Sequence, residues 1–318
     1  MILHTDKSEF SAMLNIINER TSIRRDVLEK DYYVTLMLNE LSSWQNELPI
    51  YFKGGTALYK ALGSIRRFSE DIDLTVCIDG CSNSQAKRRL EKAANGYKSL
   101  SRTTKKAMES NQKGAIISLY DYPSSSGEFV TDPLQRFGHV KVEATSFTVS
   151  EPFAPLTIST LIYDKADEVQ AATLRNEYGV APFFIDTIRL ERIFVDKVFA
   201  SEFYYQRKEY NEASKHIYDL SIMSKLDIMQ ELLADPADLT AMMAFKRREE
   251  KVRIGSDLSE KPISDFEIFY GMYENKNLRS EFDIMQNIYV FDKADRLDFE
   301  AVLESLVAIK ERLLKELL

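Results

Sequence analysis

The stretch YFKGGTALYKALGSIRRFSEDIDLTVCI, from Tyr51 to Ile78, is patterned as a strand, a tight glycine turn, a short helix, a basic loop and a second strand. Gly54 and Gly55 follow the apolar end of the first strand and favour a turn that residues with a Cβ atom resist. Thr56 is then expected to cap the short helix and to leave free N–H groups at its start. Such a helix N-terminus can bind an anion.

Asp71 and Asp73 lie on the second strand and alternate with apolar residues, so both carboxylates project from one face. Mg²⁺ prefers carboxylate and phosphate oxygens in octahedral geometry. A phosphate-binding turn followed by two carboxylates on one strand face therefore predicts a site for a metal-bound triphosphate. The alternative is a solvated Asp-x-Asp edge beside an ordinary Gly-Gly turn, since Asp-x-Asp alone is a common pattern.

Composition limits the function classes that remain. The chain has 318 residues, of which 44% are hydrophobic and 29% charged, an ordinary balance for a globular protein. Its net charge of -8 excludes general nucleic-acid binding over the whole surface, so any nucleic-acid site has to be a local basic patch. Two cysteines without a matching Cys/His set argue against zinc. With neither a signal-peptide pattern nor a long apolar run, we expect a cytoplasmic protein without a membrane span.

One local basic patch is present between residues 85 and 113. Nine Lys or Arg residues stand there against two acids, a local charge of +7. Tyr97 is interleaved and is a candidate for stacking on a base. The run is interpreted either as an RNA contact or as a solvated helix face, and the sequence leaves both open.

The segment GGTALYKALGSIRRFSEDIDL resembles the first motif of the AbiEii-like nucleotidyltransferase toxins, a branch of the DNA polymerase β superfamily. The resemblance extends more thinly over most of the chain. It implies an α/β fold in which a small mixed sheet carries the acids and a C-terminal helical domain completes the cleft. It also implies Mg²⁺-dependent transfer of a nucleotidyl group from an NTP to an acceptor hydroxyl. A toxin–antitoxin role, tRNA as acceptor and a cognate antitoxin as a possible partner follow from the same resemblance.

The resemblance assigns further site residues. A strand such as residues 138–144 supplies a third carboxylate in this superfamily, and Glu143 is the matching residue; the alternative is a solvent-facing strand position. Lys197 matches the family's lysine-bearing helix, and Asp219 matches the acid of its R…KDxYDL helix. The candidate catalytic residues are therefore Asp71, Asp73, Lys197 and Asp219, and the candidate metal ligands are Asp71, Asp73 and Glu143. The candidate nucleotide-binding residues are Gly54, Gly55, Thr56, Arg67, Ser69 and Lys197.

Some roles stay open at this point. Lys30 and Asp31 belong to a segment that resembles the family's EKD motif, and they are either residues of the active cleft or an exposed charged turn of an amphipathic helix. His216 stands where the family often has an acid. Lys197 interrupts an apolar helical stretch and either pairs with Asp219 as a structural ion pair or binds the triphosphate.

The pattern along the chain predicts two domains. Strand patterns stop at Phe183 and helical periodicity continues to the end, so we expect a nucleotidyltransferase domain over residues 1–180 and a helical domain over residues 181–318. Two other functions remain as alternatives. One is nucleotidylation of a protein or a small molecule, and the other is an inactive module that binds NTP without turnover.

Overall fold

A computed structural model of the chain describes residues 1–45, 47–62, 67–104, 106–112, 114–125, 136–146, 152–232, 236–252 and 257–315. The chain forms two compact units. The first contains Met1–Ala61 and Glu70–Thr187, and the second contains Leu62–Ser69 and Ile188–Leu318. The division into functional domains at residue 180 stays a prediction.

The first unit is built on a mixed sheet. Its strands, within the described residues, are β1 (Ile50–Lys53), β2 (Ile72–Val76), β3 (Ser101–Arg102), β4 (Ser110–Gln112), β5 (Ala115–Asp121), β6 (His139–Thr145), β7 (Phe153–Ile158) and β8 (Phe183–Ile188). They follow the order β3-β5-β6-β2-β1-β8-β7, with β4 beside β5. β2 runs parallel to β6 and antiparallel to β1. The predicted mixed α/β fold class is confirmed.

Six helices accompany this sheet in the described part of the first unit. They are α1 (Lys7–Thr21), α2 (Arg25–Ser42), α3 (Gly54–Leu62), α4 (Asn83–Asn95), α5 (Leu161–Asp164) and α6 (Glu168–Tyr178). Local sequence explains where α4 and α6 begin. Ser82 with Gln85, and Asp167 with Gln170, form reciprocal capping boxes that satisfy the first backbone N–H groups.

Helix α4 packs on one identifiable face of the sheet. Ser118 and Tyr120 on β5 hydrogen-bond to Asn95 and to the Ala94 carbonyl of α4 at 2.7 and 2.8 Å. Ser118 is the register partner of Val142 on β6, and residues paired in register project from the same face. Since side chains alternate along a strand, α4 lies on the face opposite to that of the odd-numbered residues of β6.

Two local predictions are wrong. Helix α3 begins at Gly54, so Thr56 lies inside its first turn, fully buried, and does not cap it; the turn is made by Gly54, whose φ is 81°. The segment Phe183–Ile188 is a strand rather than the start of a helix. Alternate burial along it and the pairing of Thr187 with Phe52 follow a period of two, which the helical interpretation overlooked.

The second unit is helical in its described residues. It contains α7 (Leu190–Gln206), α8 (Tyr210–Met223), α9 (Asp227–Leu232), α10 (Pro236–Val252), α11 (Lys276–Tyr289) and α12 (Phe299–Lys315). The segment 62–69 joins this unit through its last residues: Arg67 bridges Val290, and the Phe68 N–H donates to the Tyr289 carbonyl at 2.8 Å. None of the helices in the described ranges combines the length and apolarity needed to cross a membrane.

Candidate active site

The sheet of the first unit brings three of the predicted acids together. In the parallel pair β2–β6, Asp73 lies directly opposite Glu143, and Asp71 precedes β2 by one residue on the same side. Lys53 on β1 is the other register partner of Asp73. We call the surface that carries Lys53, Asp71, Asp73, Lys141 and Glu143 the carboxylate face. It is the sheet face opposite to α4, because Lys141 and Glu143 alternate with Val140, Val142 and Ala144 on β6.

Asp73 is electrostatically strained in this position. Burial, the neighbouring Glu143 carboxylate and then Asp71 raise the pKa of Asp73 to about 6, although Lys141 and Lys53 oppose the shift. The positive charge near Asp73 therefore does not offset burial and the two neighbouring carboxylates together. The carboxylate face therefore gains stability from an added cation.

The glycine turn lies against the same acid. A Cβ atom at Gly54 would stand 2.1 Å from Asp73 Oδ2, closer than atoms approach, so the turn fits only without a side chain. The positive φ of Gly54 imposes the same requirement. The structure thus places the start of α3, where the first backbone N–H groups lack helical partners, beside the carboxylates.

These residues fit a divalent cation by their chemistry. Carboxylate oxygens from adjacent strands are the hard ligands that Mg²⁺ takes, and the Gly54 backbone lies close to Asp73. In the described part of the chain, no three His, Cys, Asp or Glu side chains are already grouped around one metal position. Asp71 instead forms an ion pair with Lys141, whose Nζ lies 2.6 Å from Asp71 Oδ2. The metal roles of Asp71, Asp73 and Glu143 stay predictions.

A second group of predicted residues meets inside the helical unit. Asp219 on α8 accepts a bidentate pair of hydrogen bonds from Arg67, Nε to Oδ1 at 2.7 Å and Nη2 to Oδ2 at 2.6 Å. Lys197 on α7 lies 2.8 Å from the same Oδ2 atom. We call these three residues the Asp219 cluster. Its carboxylate is fully buried, and the Lys197 side chain is 7% exposed.

Two cations share one carboxylate in the Asp219 cluster. Burial by itself would raise the pKa of Asp219, but the Arg67 guanidinium and then the Lys197 ammonium outweigh burial and hold it below its ordinary value. The cluster therefore keeps one positive charge in excess. Sequence reasoning expected Arg67 to bind nucleotide and Lys197 to pair with Asp219 or with phosphate. The structure shows that Arg67 and Lys197 both contact Asp219, and their nucleotide contacts stay predictions.

Other candidates have structural surroundings. Lys30 and Asp31 are each 1% exposed, so the expected alternative of an exposed charged turn is wrong. Lys30 donates to the Arg136 and His139 carbonyls, whereas Asp31 accepts from Lys60 and from the Leu161 N–H, and both therefore tie α2 to neighbouring elements.

The remaining candidates differ in exposure. His216 stacks on Tyr204 with ring planes 9° apart, and Ser69 is half-buried. Tyr97 is 6% exposed between Trp44 and Tyr120, so it is a core residue and not an open stacking surface for a base. Within the basic run, Lys105 and Lys113 lie outside the described residues.

Sequence reasoning missed the role of Lys141. Glu143 follows Lys141 by two residues, so the alternation along residues 138–144 already indicated that both side chains project from the same side of the strand. The signal was therefore present, but only the pairing of β6 with β2 brings Lys141 to Asp71.

Comparison with known proteins identifies the family of the chain. The family profile described as "Nucleotidyl transferase AbiEii toxin, Type IV TA system" matches residues 36–308. Among solved structures, the chain is similar to JHP933 from Helicobacter pylori, with 14% identity, a TM-score of 0.42 and coverage of 91% of this chain and 94% of that chain. It is also similar to MenT4, a nucleotidyltransferase toxin from Mycobacterium tuberculosis H37Rv, with 13% identity, a TM-score of 0.43 and coverage of 93% and 98%. No curated protein matches the sequence. Since the family profile spans most of the chain, the chain belongs to the AbiEii nucleotidyltransferase toxin family.

Proposed function

We propose that this protein transfers a nucleotidyl group from an NTP to a hydroxyl group of an RNA acceptor, with tRNA as the preferred class, and releases pyrophosphate. Asp71 and Asp73 hold the catalytic Mg²⁺, and Glu143 contributes a third carboxylate. When bound, Mg²⁺ supplies charge neutralisation for the triphosphate and lowers the pKa of the attacking hydroxyl. The activity makes the protein the toxin of a toxin–antitoxin pair.

The observation that carries this proposal is the register of Asp73 and Glu143 beside the Gly54 turn. Burial, then Glu143 and Asp71, raise the pKa of Asp73, and a divalent cation would offset the negative charge of these carboxylates. The backbone N–H groups at the start of α3 lie next to them and are suited to bind phosphate oxygens. Cation and phosphate sites in contact are what a metal-bound triphosphate requires.

The Asp219 cluster of the helical unit carries an excess of positive charge. Asp219 holds Arg67 through a bidentate contact and Lys197 through a single oxygen, so Lys197 is the cation with more freedom to reach an anion. We assign Lys197 as the phosphate-binding cation of the reaction. Asp219 is a positioning residue because its fully buried carboxylate reaches ligands only through the cations it holds.

The basic surface of α4 supports an RNA acceptor. Lys87 and Arg88 are exposed, whereas Arg89 donates to the Cys77 carbonyl at 2.9 Å. A cavity of about 200 Å³ lined by Leu48, Gln85, Arg88 and Arg89 is of a size to admit a phosphate group. Because α4 lies on the sheet face opposite to the acids, it would bind the body of a large acceptor rather than its reacting end.

The test uses the purified full chain with Mg²⁺, total RNA, total protein and each of the four NTPs labelled at the α-phosphate. We expect the label on RNA, at termini that sequencing then identifies, and no label after chelation of the metal. Asp71→Asn serves as the inactive control. Label on protein or on a small molecule would instead support the first alternative function, nucleotidylation of that acceptor.

Binding of NTP without release of pyrophosphate would support the second alternative, an inactive NTP-binding module. It is measured on the same samples by isothermal titration and by a pyrophosphate assay. Failure to bind any NTP in the presence of Mg²⁺ or Mn²⁺ would overturn both the proposal and this alternative.

A further inference from the structure

Lys141 is a cation built into the carboxylate face. Its Nζ lies 2.6 Å from Asp71 Oδ2, and both side chains are 34% exposed. Glu143 follows two residues later on β6 and projects from the same face, opposite Asp73. One ammonium group therefore stands among the three carboxylates expected to bind metal.

Three carboxylates lie on the face that carries this ammonium. Asp71 contacts it directly, and Asp73 and Glu143 project from the same face. Lys53, the other lysine of this face, donates from its Nζ to Thr145 Oγ1 at 3.1 Å. Lys141 directly contacts a carboxylate oxygen of the predicted metal site.

We propose that Lys141 is an internal counter-cation that occupies Asp71 in the metal-free protein and has to leave it before a divalent cation binds there. The inference rests on the metal site of the proposed function. A divalent cation has to replace the attraction that the ammonium already provides, so Lys141 lowers the metal affinity of the empty carboxylate face.

The same exchange couples metal to nucleotide. Once released from Asp71, the Lys141 ammonium lacks that carboxylate as a partner, and a polyanion bound near the carboxylate face provides a new one. Metal binding is then stronger with NTP present than without it, and the coupling is reciprocal. Lys141 is a positioning residue in this account, because it acts on the metal site through Asp71.

The first test measures Mn²⁺ binding to the full chain by isothermal titration, without nucleotide. We expect Lys141→Met to bind Mn²⁺ about tenfold more tightly than wild type, since the competing charge is removed. Lys141→Arg keeps the charge and should stay within about twofold of wild type. The matched control is Lys165→Met, an exposed lysine of the same unit, which should also be unchanged.

The second test needs no substitution and applies even if a variant fails to fold. Lys141 is labelled with an amine-acylating reagent, and its modification is read by mass spectrometry with and without Mn²⁺. We expect labelling at Lys141 to rise when Mn²⁺ is added, because the ammonium is displaced from Asp71, while labelling at Lys165 does not change. Equal labelling in both states would overturn the inference.

Asp71→Asn separates this inference from the proposed function. If Asp71→Asn leaves Mn²⁺ affinity unchanged, the metal does not bind at the carboxylate face and the proposed site is wrong. If Asp71→Asn abolishes binding but Lys141→Met fails to tighten it, the metal site stands and the counter-cation role is wrong. Weaker binding in Lys141→Met would likewise contradict the inference, because it would make Lys141 a supporting residue of the metal site.

Discussion

The carboxylate face and the Asp219 cluster have opposite charge balances. The carboxylate face sets three acids against two lysines, and burial together with the neighbouring carboxylates raises the pKa of Asp73. The Asp219 cluster sets one carboxylate against Arg67 and Lys197, and its excess positive charge lowers the pKa of Asp219. The first group gains from an added cation and the second from an added anion.

The two groups also differ in exposure. The Asp71 side chain is 34% exposed, so it can exchange one partner for another. Asp219 is fully buried and hydrogen-bonded on both oxygens, so replacement of its partners is costly. We therefore expect substitutions on the carboxylate face to change mainly catalysis, and substitutions of Asp219 to change mainly stability.

The largest expected effect is on catalysis. Asp71→Asn removes one negative charge with little change in shape and should lower the rate of nucleotidyl transfer by about a thousandfold or more, because metal-based charge stabilisation is lost. The rate is measured as pyrophosphate release with the labelled NTP that the protein uses. Asp283→Asn, an exposed acid of α11, is the matched control and should keep the wild-type rate. Wild-type transfer by Asp71→Asn would place the chemistry elsewhere.

The next largest effect is on stability. Asp219→Asn leaves two cations, Arg67 and Lys197, without their shared carboxylate inside the helical unit and should lower the free energy of unfolding by about 3–5 kcal/mol. Urea denaturation measures the change. The double variant Asp219→Asn with Arg67→Met should recover part of the loss, since one unpaired buried cation is removed. An Asp219→Asn protein as stable as wild type would show that the cluster is not held by its carboxylate.

Lys197→Met should separate function from stability. Arg67 still neutralises Asp219 in this variant, so we expect the free energy of unfolding to change by less than about 1 kcal/mol. Transfer should fall by about a hundredfold, and the rise in melting temperature given by Mg²⁺ and NTP should disappear. Lys293→Met, an exposed lysine of the same unit, is the control. Retention of the nucleotide-induced stabilisation would contradict a phosphate-binding role for Lys197.

Sequence reasoning located most of the elements because local patterns specify them. The alternation in residues 138–144 predicted β6 to within one residue at each end. The Gly-Gly turn and the Asp-x-Asp strand were likewise predicted from two neighbouring local motifs. Phe183–Ile188 was assigned to a helix because its short apolar run carries a period-two signal over only a few residues.

Long-range contacts explain what the sequence could not predict. Arg67 was expected to bind nucleotide, but its contact with Asp219 joins residues 152 positions apart, and no local pattern encodes it. The sequence likewise did not show the partners of Lys30 and Asp31. Lys30 donates to the Arg136 carbonyl, and Asp31 accepts from Lys60. The contact of Lys141 with Asp71 likewise depends on strand pairing. Charge pairs across the fold depend on topology, which a single sequence specifies only indirectly.

A smaller effect concerns pH and the carboxylate face. The pKa of Asp73 in the folded protein is about 6, above its ordinary value of 3.8, so between these values the folded state binds more protons than the unfolded state. The free energy of unfolding therefore falls as pH rises from about 4 to about 6. Asp73→Asn removes this penalty and should stabilise the metal-free protein at pH 8 by on the order of 2 kcal/mol.

Thermal denaturation in a chelator at pH 4.5 and pH 8 measures the change. The stability gain of Asp73→Asn should be larger at pH 8 than at pH 4.5. Mn²⁺ binding to wild type should weaken below about pH 6, since protons then compete with the metal for Asp73. If the stability difference between Asp73→Asn and wild type were the same at pH 4.5 and at pH 8, the negative charge of the carboxylate face would already be balanced without metal.

The smallest effect tests whether the unit that carries the acids also binds RNA on its other face. Lys87 and Arg88 are exposed on α4, which packs opposite to the carboxylate face, whereas Arg89 is tied to the Cys77 carbonyl and is left intact. Charge reversal of Lys87 and Arg88 to Glu should weaken tRNA binding by about tenfold at low salt. The slope of log affinity against log salt should become shallower by roughly 1–2, because two phosphate contacts are lost. Binding of NTP should not change, since the carboxylate face is untouched.

A salt slope equal to that of wild type would make this side of α4 a solvated surface. The carboxylate face would then be the only candidate for acceptor contact among the described residues of the first unit.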